Sequence, residues 1–275
     1  MHLKKIALVV EYDGTRYYGF QIQAQPQTVQ EALEQAVASL TGERTPVRCA
    51  SRTDAGVHAK RQVVSFRTKA THPMETFVKG LNHYLPEDIK VTEAHVIPTT
   101  FDVRTSAVGR EYEYHILNRK APSPLMRHRA YHVHRALNLA AMRRGAKVLL
   151  SLRDFAPFAG NALPKGASTM RRLTKAQFTR KGDMITFTVA GDSFLHQQVR
   201  RMAGALLDLG MGKMSLERFE ETARKGKRGS AGPTLPPNGL YLTNVIYKQF
   251  PPRSGKLRER PTVVAQEKMQ QREKS

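Results

Sequence analysis

The chain has 275 residues, with 45 Lys and Arg against 23 Asp and Glu, which gives a formal charge of +22 and a pI of about 10.4. Its hydrophobic content of 40% can build a core over this length, which excludes a disordered basic protein. It has no apolar run of about 18 residues, which excludes a transmembrane helix, and no signal peptide is expected from residues 1–12. The large positive charge favours a polyanionic partner, most simply nucleic acid.

The charge is distributed unevenly along the chain. Residues 1–108 have a net charge of +2, residues 109–252 of +16 and residues 253–275 of +4. Because solubility rarely needs so large an excess of one sign, the second part is predicted to carry a polyanion-binding face. We therefore expect an N-terminal α/β half at 1–108, a basic C-terminal α/β half at 109–252 and a flexible basic tail at 253–275.

The first half is predicted to contain strands and helices in the order β-α-β-β-α-β. Residues 5–12 are apolar and β-branched and precede Asp13-Gly14, which is typical of a strand that ends in a turn. A capping box at residues 28–31 starts a helix over 29–40. The later elements are strands at 46–50 and 62–67, a helix at 73–85 and a strand at 88–97. This is the order of a ferredoxin-like unit.

The second half repeats this order of elements, although no letter-by-letter repeat is present. The predicted elements are strands at 111–117, 174–180, 184–190 and 240–247, and helices at 138–149, 195–209 and 216–224. The strands at 174–180 and 184–190 form a hairpin about Lys181-Gly182-Asp183. The predicted fold class is therefore α/β (α+β), with two tandem ferredoxin-like halves, a mainly antiparallel sheet and a central cleft.

Residues 50–59 lie between two predicted strands and carry side chains that strand formation does not require. Arg52 and Asp54 stand two residues apart at the end of a short strand, where a carboxylate can act as a base or a nucleophile. The sequence Asp54-Ala55-Gly56 is also ordinary turn chemistry. On composition alone, a structural turn aspartate is the favoured interpretation of Asp54.

Read as a whole, the segment Ser51-Arg52-Thr53-Asp54-Ala55-Gly56-Val57-His58 resembles the signature of the tRNA pseudouridine synthase A family. The family usually has Gly where Ser51 stands and commonly has Trp where Phe20 stands. Further segments resemble the family in the same order, at residues 11–21, 81–89, 101–114, 194–200 and 239–242. The resemblance covers about residues 4–247 and implies the pseudouridine synthase fold. It also implies an isomerase that converts uridine to pseudouridine in the tRNA anticodon stem-loop, at positions 38, 39 and 40.

The resemblance implies a role for four residues of the site. Asp54 is the nucleophile, Tyr112 packs on the target base and Arg200 pairs with the nucleophile, while Arg52 lies near the flipped-out nucleotide. The less direct candidates for RNA contact are Arg104, which is placed by a family segment, and Lys165, Arg171 and Arg172, which lie in basic stretches of the second half.

Geometry and spacing alone leave other interpretations open for these side chains. Arg200 lies on the flank of its helix's apolar stripe, a position that is also typical of a solvated arginine. Tyr112 alternates with Tyr114 in a strand, which is typical of core packing. His58 and His196 lack the spacing of metal ligands, and we interpret them as ordinary hydrogen-bonding histidines.

The reaction breaks the N1–C1′ bond of uridine and rejoins the base through C5, so it requires no cofactor. Whether the aspartate attacks C1′ or C6, or removes a ribose proton, stays open. The expected partner is tRNA, and a homodimer without membrane association is expected in the cytoplasm, where the single Cys49 fits a reducing compartment. The alternatives are a catalytically silent tRNA-binding protein or RNA chaperone, and a nucleoside hydrolase that uses Asp54 and releases uracil.

Overall fold

The structure, a computed structural model, describes residues 3–24, 27–160 and 166–249, so Lys165 and the tail at 253–275 lie outside the described residues. The strands are β1 (Lys4–Tyr12), β2 (Arg48–Cys49), β3 (His58–Thr68), β4 (Ile89–Ile97), β5 (Gly109–Asn118), β6 (Tyr131–Val133), β7 (Ser151–Asp154), β8 (Met170–Lys181), β9 (Met184–Gly191) and β10 (Leu240–Ile246). The helices are α1 (Val29–Thr41), α2 (Met74–Tyr84), α3 (Leu139–Val148), α4 (Gln198–Gly210) and α5 (Leu216–Lys225).

These strands form one sheet in the order β4-β1-β3-β10-β5-β9-β8-β7, with β2 paired to β3 and β6 to β5. In the first half β1 lies between β3 and β4, in the second half β5 lies between β9 and β10, and all these neighbours run antiparallel. The two halves meet where β3 and β10 pair in parallel, with Tyr241 opposite His58 and Leu242 opposite Ala59. The predicted fold class is confirmed, and the junction between the halves lies directly after the 50–57 connection.

The local signals in the first half produce the predicted elements. The Thr28 side chain accepts the backbone N–H of Glu31 at 3.3 Å and starts α1, and Gly42 ends the helix at φ +74°. The buried face of α1 carries Val29, Leu33, Ala36 and Val37. This face packs on the sheet because its apolar residues recur with the helical period.

The prediction of a helix over 195–209 is wrong at its start, because α4 begins at Gln198. Gln197 has a φ of +59°, in the left-handed region, which interrupts the helical path. The Gln198 side chain accepts the backbone N–H of Leu195 at 2.8 Å and closes this turn. Apolar spacing continues through the turn, so periodicity alone did not reveal it. His196 therefore lies on a connection that faces the site and is not part of the helix.

The short strands β6 and β7 were not predicted, because three or four residues are too few to show a period of two. β7 pairs with β8 at the edge of the sheet and lengthens the second half by one strand. Within the described ranges, no helix is both long and apolar enough to cross a membrane.

Candidate active site

Asp54 lies on the connection between β2 and β3, and neighbouring segments fix the backbone around it. The hydroxyl groups of Tyr12 and Thr53 form a hydrogen bond of 2.7 Å, and the N–H of Phe20 donates to the Thr53 carbonyl at 3.1 Å. The N–H of Val57 donates to the Asp54 carbonyl at 3.1 Å. These hydrogen bonds fix the backbone on both sides of the aspartate. Its side chain is directed away from the core.

Gly19 explains why the 11–21 segment accompanies the 50–57 connection. Its φ is +94°, and a Cβ at this position would lie 2.8 Å from the Thr53 carbonyl oxygen and 3.2 Å from the Ala55 nitrogen. Only a residue without a side chain allows the two backbones to approach so closely. This part of the first half is therefore a support for the connection that carries Asp54.

Arg200 joins α4 to the aspartate across the two halves of the sheet. Its Nη1 donates to Asp54 Oδ2 at 3.0 Å, and its Nε donates to the Leu235 carbonyl at 2.7 Å. The Arg200 side chain is 12% exposed and that of Asp54 is 24% exposed, so the interpretation of Arg200 as a solvated flank residue does not hold. A charge-assisted hydrogen bond in this half-buried place orients the carboxylate. His196 Nε2 lies 3.7 Å from the other oxygen, Asp54 Oδ1.

Tyr112 on β5 is buried, as core packing requires, and it also borders the site, as packing on a target base requires. Its hydroxyl forms a 2.7 Å hydrogen bond with Ser51 Oγ, and its ring packs edge-on against Phe194 at 5.1 Å. Burial raises the pKa of Tyr112 to about 12, so the hydroxyl is protonated at neutral pH. The residue that departs from the family signature, Ser51, is thus the hydrogen-bond partner of the tyrosine.

A cavity of about 670 Å³ opens beside Asp54, a size that suits one nucleotide. It is lined by the 50–54 and 193–199 segments and by Arg104, Arg110 and Tyr112. Arg52 and Arg104 are exposed at this cavity. The structure therefore brings together the sequence-predicted residues Asp54, Arg52, Arg104 and Tyr112, with Arg200 bonded to the aspartate.

Arg171 and Arg172 on β8 are not among the residues that line the cavity. Arg171 Nη1 donates to the carbonyls of Ser168 and Met170. The backbone N–H of Arg172 lies 3.3 Å from both carboxylate oxygens of Asp192. Both arginines lie on β8, between β9 and the edge strand β7.

His58 is buried at the junction of the two halves. Its Nδ1 accepts the N–H of Gly14 at 3.1 Å, its Nε2 lies 2.9 Å from the His128 carbonyl, and its ring stacks on Tyr241. In the ranges that the structure describes, no group of three or more His, Cys, Asp or Glu side chains is arranged to hold a metal. The contacts of His58 match the ordinary hydrogen-bonding interpretation.

Arg110 is a site residue that the sequence reasoning missed. Its buried guanidinium donates to four backbone carbonyls, those of Ala50 at 3.0 Å, Arg104 at 2.7 Å, Ala107 at 3.4 Å and Asp192 at 3.0 Å. These carbonyls come from three segments that border the cavity. The available signal was an arginine at the start of a buried strand, where a charge needs a structural partner.

Replacing Arg110 by lysine is expected to lower the free energy of unfolding by about 2–4 kcal/mol, because a single ammonium leaves some of the carbonyls unsatisfied. The loops around the cavity should loosen, and kcat should fall with the stability. Thermal denaturation and turnover of tRNA measure the two effects. The control is Arg180→Lys, since Arg180 is exposed and donates to the Gly182 carbonyl outside the cavity. Equal stability of the two variants would contradict this role for Arg110.

Comparison with known proteins identifies the family. A family model described as tRNA pseudouridine synthase matches residues 8–105 and 146–248. The tRNA pseudouridine synthase A of Acetivibrio thermocellus is 38% identical over 245 residues, which cover 89% of this chain and 100% of the relative. That of Geobacter sulfurreducens is 41% identical over 247 residues, with 89% and 100% covered. That of Neisseria meningitidis is 39% identical over 244 residues, with 88% and 92% covered. The chain belongs to the tRNA pseudouridine synthase family.

Proposed function

We propose that the chain isomerises uridine to pseudouridine in tRNA with Asp54 as the nucleophile. The observation that carries this proposal is the Asp54 carboxylate, which Arg200 holds at 3.0 Å beside a cavity bordered by Tyr112. Family membership and the names of the relatives support the reaction class, which is that of an isomerase.

Each residue has a task that its contacts support. The Asp54 carboxylate attacks the nucleotide at C1′ or C6, while the guanidinium of Arg200 holds the carboxylate directed at the cavity. The N1–C1′ bond breaks and the base turns. C5 then bonds to C1′ while the bond between the Asp54 carboxylate and the nucleotide breaks, which frees the carboxylate. The C5 proton is then lost and N1 gains a proton, so the net change is an isomerisation. The Tyr112 ring offers a packing face for the base, and its hydroxyl, which is hydrogen-bonded to Ser51, is a candidate for moving the C5 proton.

The target base has to leave its stack to reach the cavity, which costs a few kcal/mol and selects weakly paired positions. We assign Arg52 and Arg104 to the phosphates of the flipped-out nucleotide, because both are exposed at the cavity. Arg171 and Arg172 are assigned to the body of the RNA. The nearly neutral half at 1–108 then supplies the nucleophile, and the basic half at 109–252 grips the substrate.

The finer parts of the proposal follow the family. They are uridines 38, 39 and 40 of the anticodon stem-loop as targets, a homodimer, and a cytoplasmic location alongside the tRNA pool. A dimer could present the basic half of one subunit to a tRNA held at the site of the other.

The hydrolase alternative lacks a second carboxylate. Asp54 is the only acidic side chain among the described residues that line the cavity. Glycoside hydrolysis ordinarily uses a pair of carboxyl groups, one of which activates water. The geometry therefore favours the return of the base to the same sugar over its release.

Position-resolved pseudouridine mapping on an unmodified tRNA transcript tests the proposal. We expect new pseudouridine within positions 38–40 after incubation with the protein alone. Binding of the transcript without any modification would support the silent RNA-binding alternative, and free uracil would support the hydrolase. Modification at other positions would keep the reaction and overturn the proposed target.

A further inference from the structure

Three arginines lie near the edge strand β7, and we call them the arginine cluster: Arg153, Arg171 and Arg224. Arg153 on β7 lies directly opposite Arg171 on β8, so the two side chains leave the same face of the sheet about 5 Å apart. Arg224 belongs to the last turn of α5. The rings of Phe219 on α5 and Phe158 after β7 pack at 6.3 Å, which holds α5 against this edge.

No carboxylate neutralises the arginine cluster in the part of the chain that the structure describes. None of its members takes part in an ion pair there, although Arg218 on the same helix pairs with Glu221 at 3.1 Å. The neighbouring Asp154 accepts the N–H of Ala156 at 2.8 Å and so serves its own backbone turn. Among the described residues, the cluster is thus a concentration of positive charge without a paired carboxylate.

Three nitrogen atoms of the arginine cluster also lack hydrogen-bond partners among the described residues. Nε and Nη1 of Arg153 and Nε of Arg171 are buried and have no hydrogen-bond partner within the described ranges. Burial, and then the charge of Arg224, lower the pKa of Arg153. Arg224 is exposed and Arg153 and Arg171 are half-buried, so the cluster meets solvent mainly at Arg224. Like charges with unmet donors cost folding free energy, and a bound anion would remove that cost.

We propose that the arginine cluster binds a backbone phosphate of the RNA substrate. The guanidinium group matches a phosphate through two parallel hydrogen bonds, a geometry that a spherical anion such as chloride does not offer. The identity of the anion as RNA rests on the proposed function, and the high charge of the second half agrees with it.

The arginine cluster lies at a limited distance from the candidate active site. From Arg153 the chain runs to Gly160, whose N–H donates to the His196 carbonyl at 2.9 Å beside Asp54. These seven residues can span at most about 25 Å. The cluster therefore lies within about 25 Å of that connection, so one bound tRNA can contact both. The cluster should contribute to binding of the RNA and leave the chemical step unchanged.

The test compares Arg153→Gln and Arg224→Gln with the matched control Arg218→Gln, which removes an exposed, ion-paired arginine from the same helix. Binding of a tRNA transcript is measured between 50 and 200 mM salt, and turnover is measured at saturating transcript. We expect each cluster variant to bind roughly tenfold more weakly, and the slope of log affinity against log salt concentration to become shallower by about one. The control should bind like the native chain. KM should rise and kcat should stay the same.

Thermal denaturation separates this role from a structural one. Loss of an unpaired, half-buried charge should leave the midpoint temperature of unfolding unchanged or raise it. Loss of an arginine that is needed for folding would lower this temperature. A lowered midpoint, or equal weakening by the control, would overturn the inference. If the cluster variants bind tRNA like the native chain and the protein still forms pseudouridine, the inference about the cluster is wrong and the proposed function stands. If the native chain binds the transcript but forms no pseudouridine, only the proposed function fails.

Discussion

Replacing Asp54 by asparagine is expected to reduce pseudouridine formation by at least about 10³-fold, because the amide is not a nucleophile at neutral pH. The amide has nearly the shape of the carboxylate, and its oxygen can still accept the hydrogen bond from Arg200. Affinity for tRNA should therefore change only a few-fold. Nucleoside chromatography of the treated transcript measures the product, since uridine and pseudouridine have the same mass.

The matched control is Asp183→Asn, which neutralises an exposed aspartate whose Oδ2 lies 3.9 Å from Arg119 Nη1. Its turnover should equal that of the native chain, because Asp183 lies at the β8–β9 turn and not at the cavity. Measurable turnover by the Asp54→Asn variant under single-turnover conditions would show that another group acts as the nucleophile. A large loss of tRNA affinity in the same variant would assign Asp54 to binding.

Replacing Arg200 by lysine should lower kcat by roughly 10²-fold, because the shorter ammonium cannot reach both the Asp54 carboxylate and the Leu235 carbonyl. The aspartate would remain present but would lose its orientation. KM for tRNA should change little, since the guanidinium is directed at the aspartate and not at the RNA. Steady-state kinetics on a tRNA transcript separates the two constants.

A double substitution distinguishes orientation of the nucleophile from an independent role of Arg200. If the arginine acts through Asp54, then Arg200→Lys should cost nothing further in an Asp54→Asn background. The control is Arg201→Lys, since Arg201 donates to the Gly229 carbonyl and has no contact with Asp54. A similar kcat loss in this control would point to general disturbance of α4, and additive losses would assign Arg200 a separate task.

Most helices and strands were predictable because their signals are local. The capping box before α1 and the alternation in β5 appear within a few residues of the chain. The start of α4 was not predictable, because a side-chain bond from Gln198 and a left-handed Gln197 interrupt an apolar pattern that continues. Such a turn is stabilised by contacts that periodicity does not record.

The candidate site divides in the same way. The resemblance singled out Asp54, Tyr112 and Arg200, and the structure brings them together. Arg110 was not predicted, because the sequence around an arginine in a strand indicates neither that it is buried nor which carbonyls it binds. Arg171 was expected to contact RNA. Its neighbour Arg153 was not predicted, because the pairing of β7 with β8 that places it opposite Arg171 cannot be inferred from the sequence.

The sequence by itself determined the order of the elements, the concentration of charge in the second half and the segment that carries Asp54. These properties depend on composition and on neighbours within about one turn or strand. The resemblance implied that Arg200 pairs with Asp54, but only the tertiary structure brings the two side chains, 146 residues apart, into contact. The parallel pairing of β3 with β10 brings the halves together at this point. Pairing of this kind depends on burial of the whole sheet and the helices on it, which no short stretch of the chain specifies.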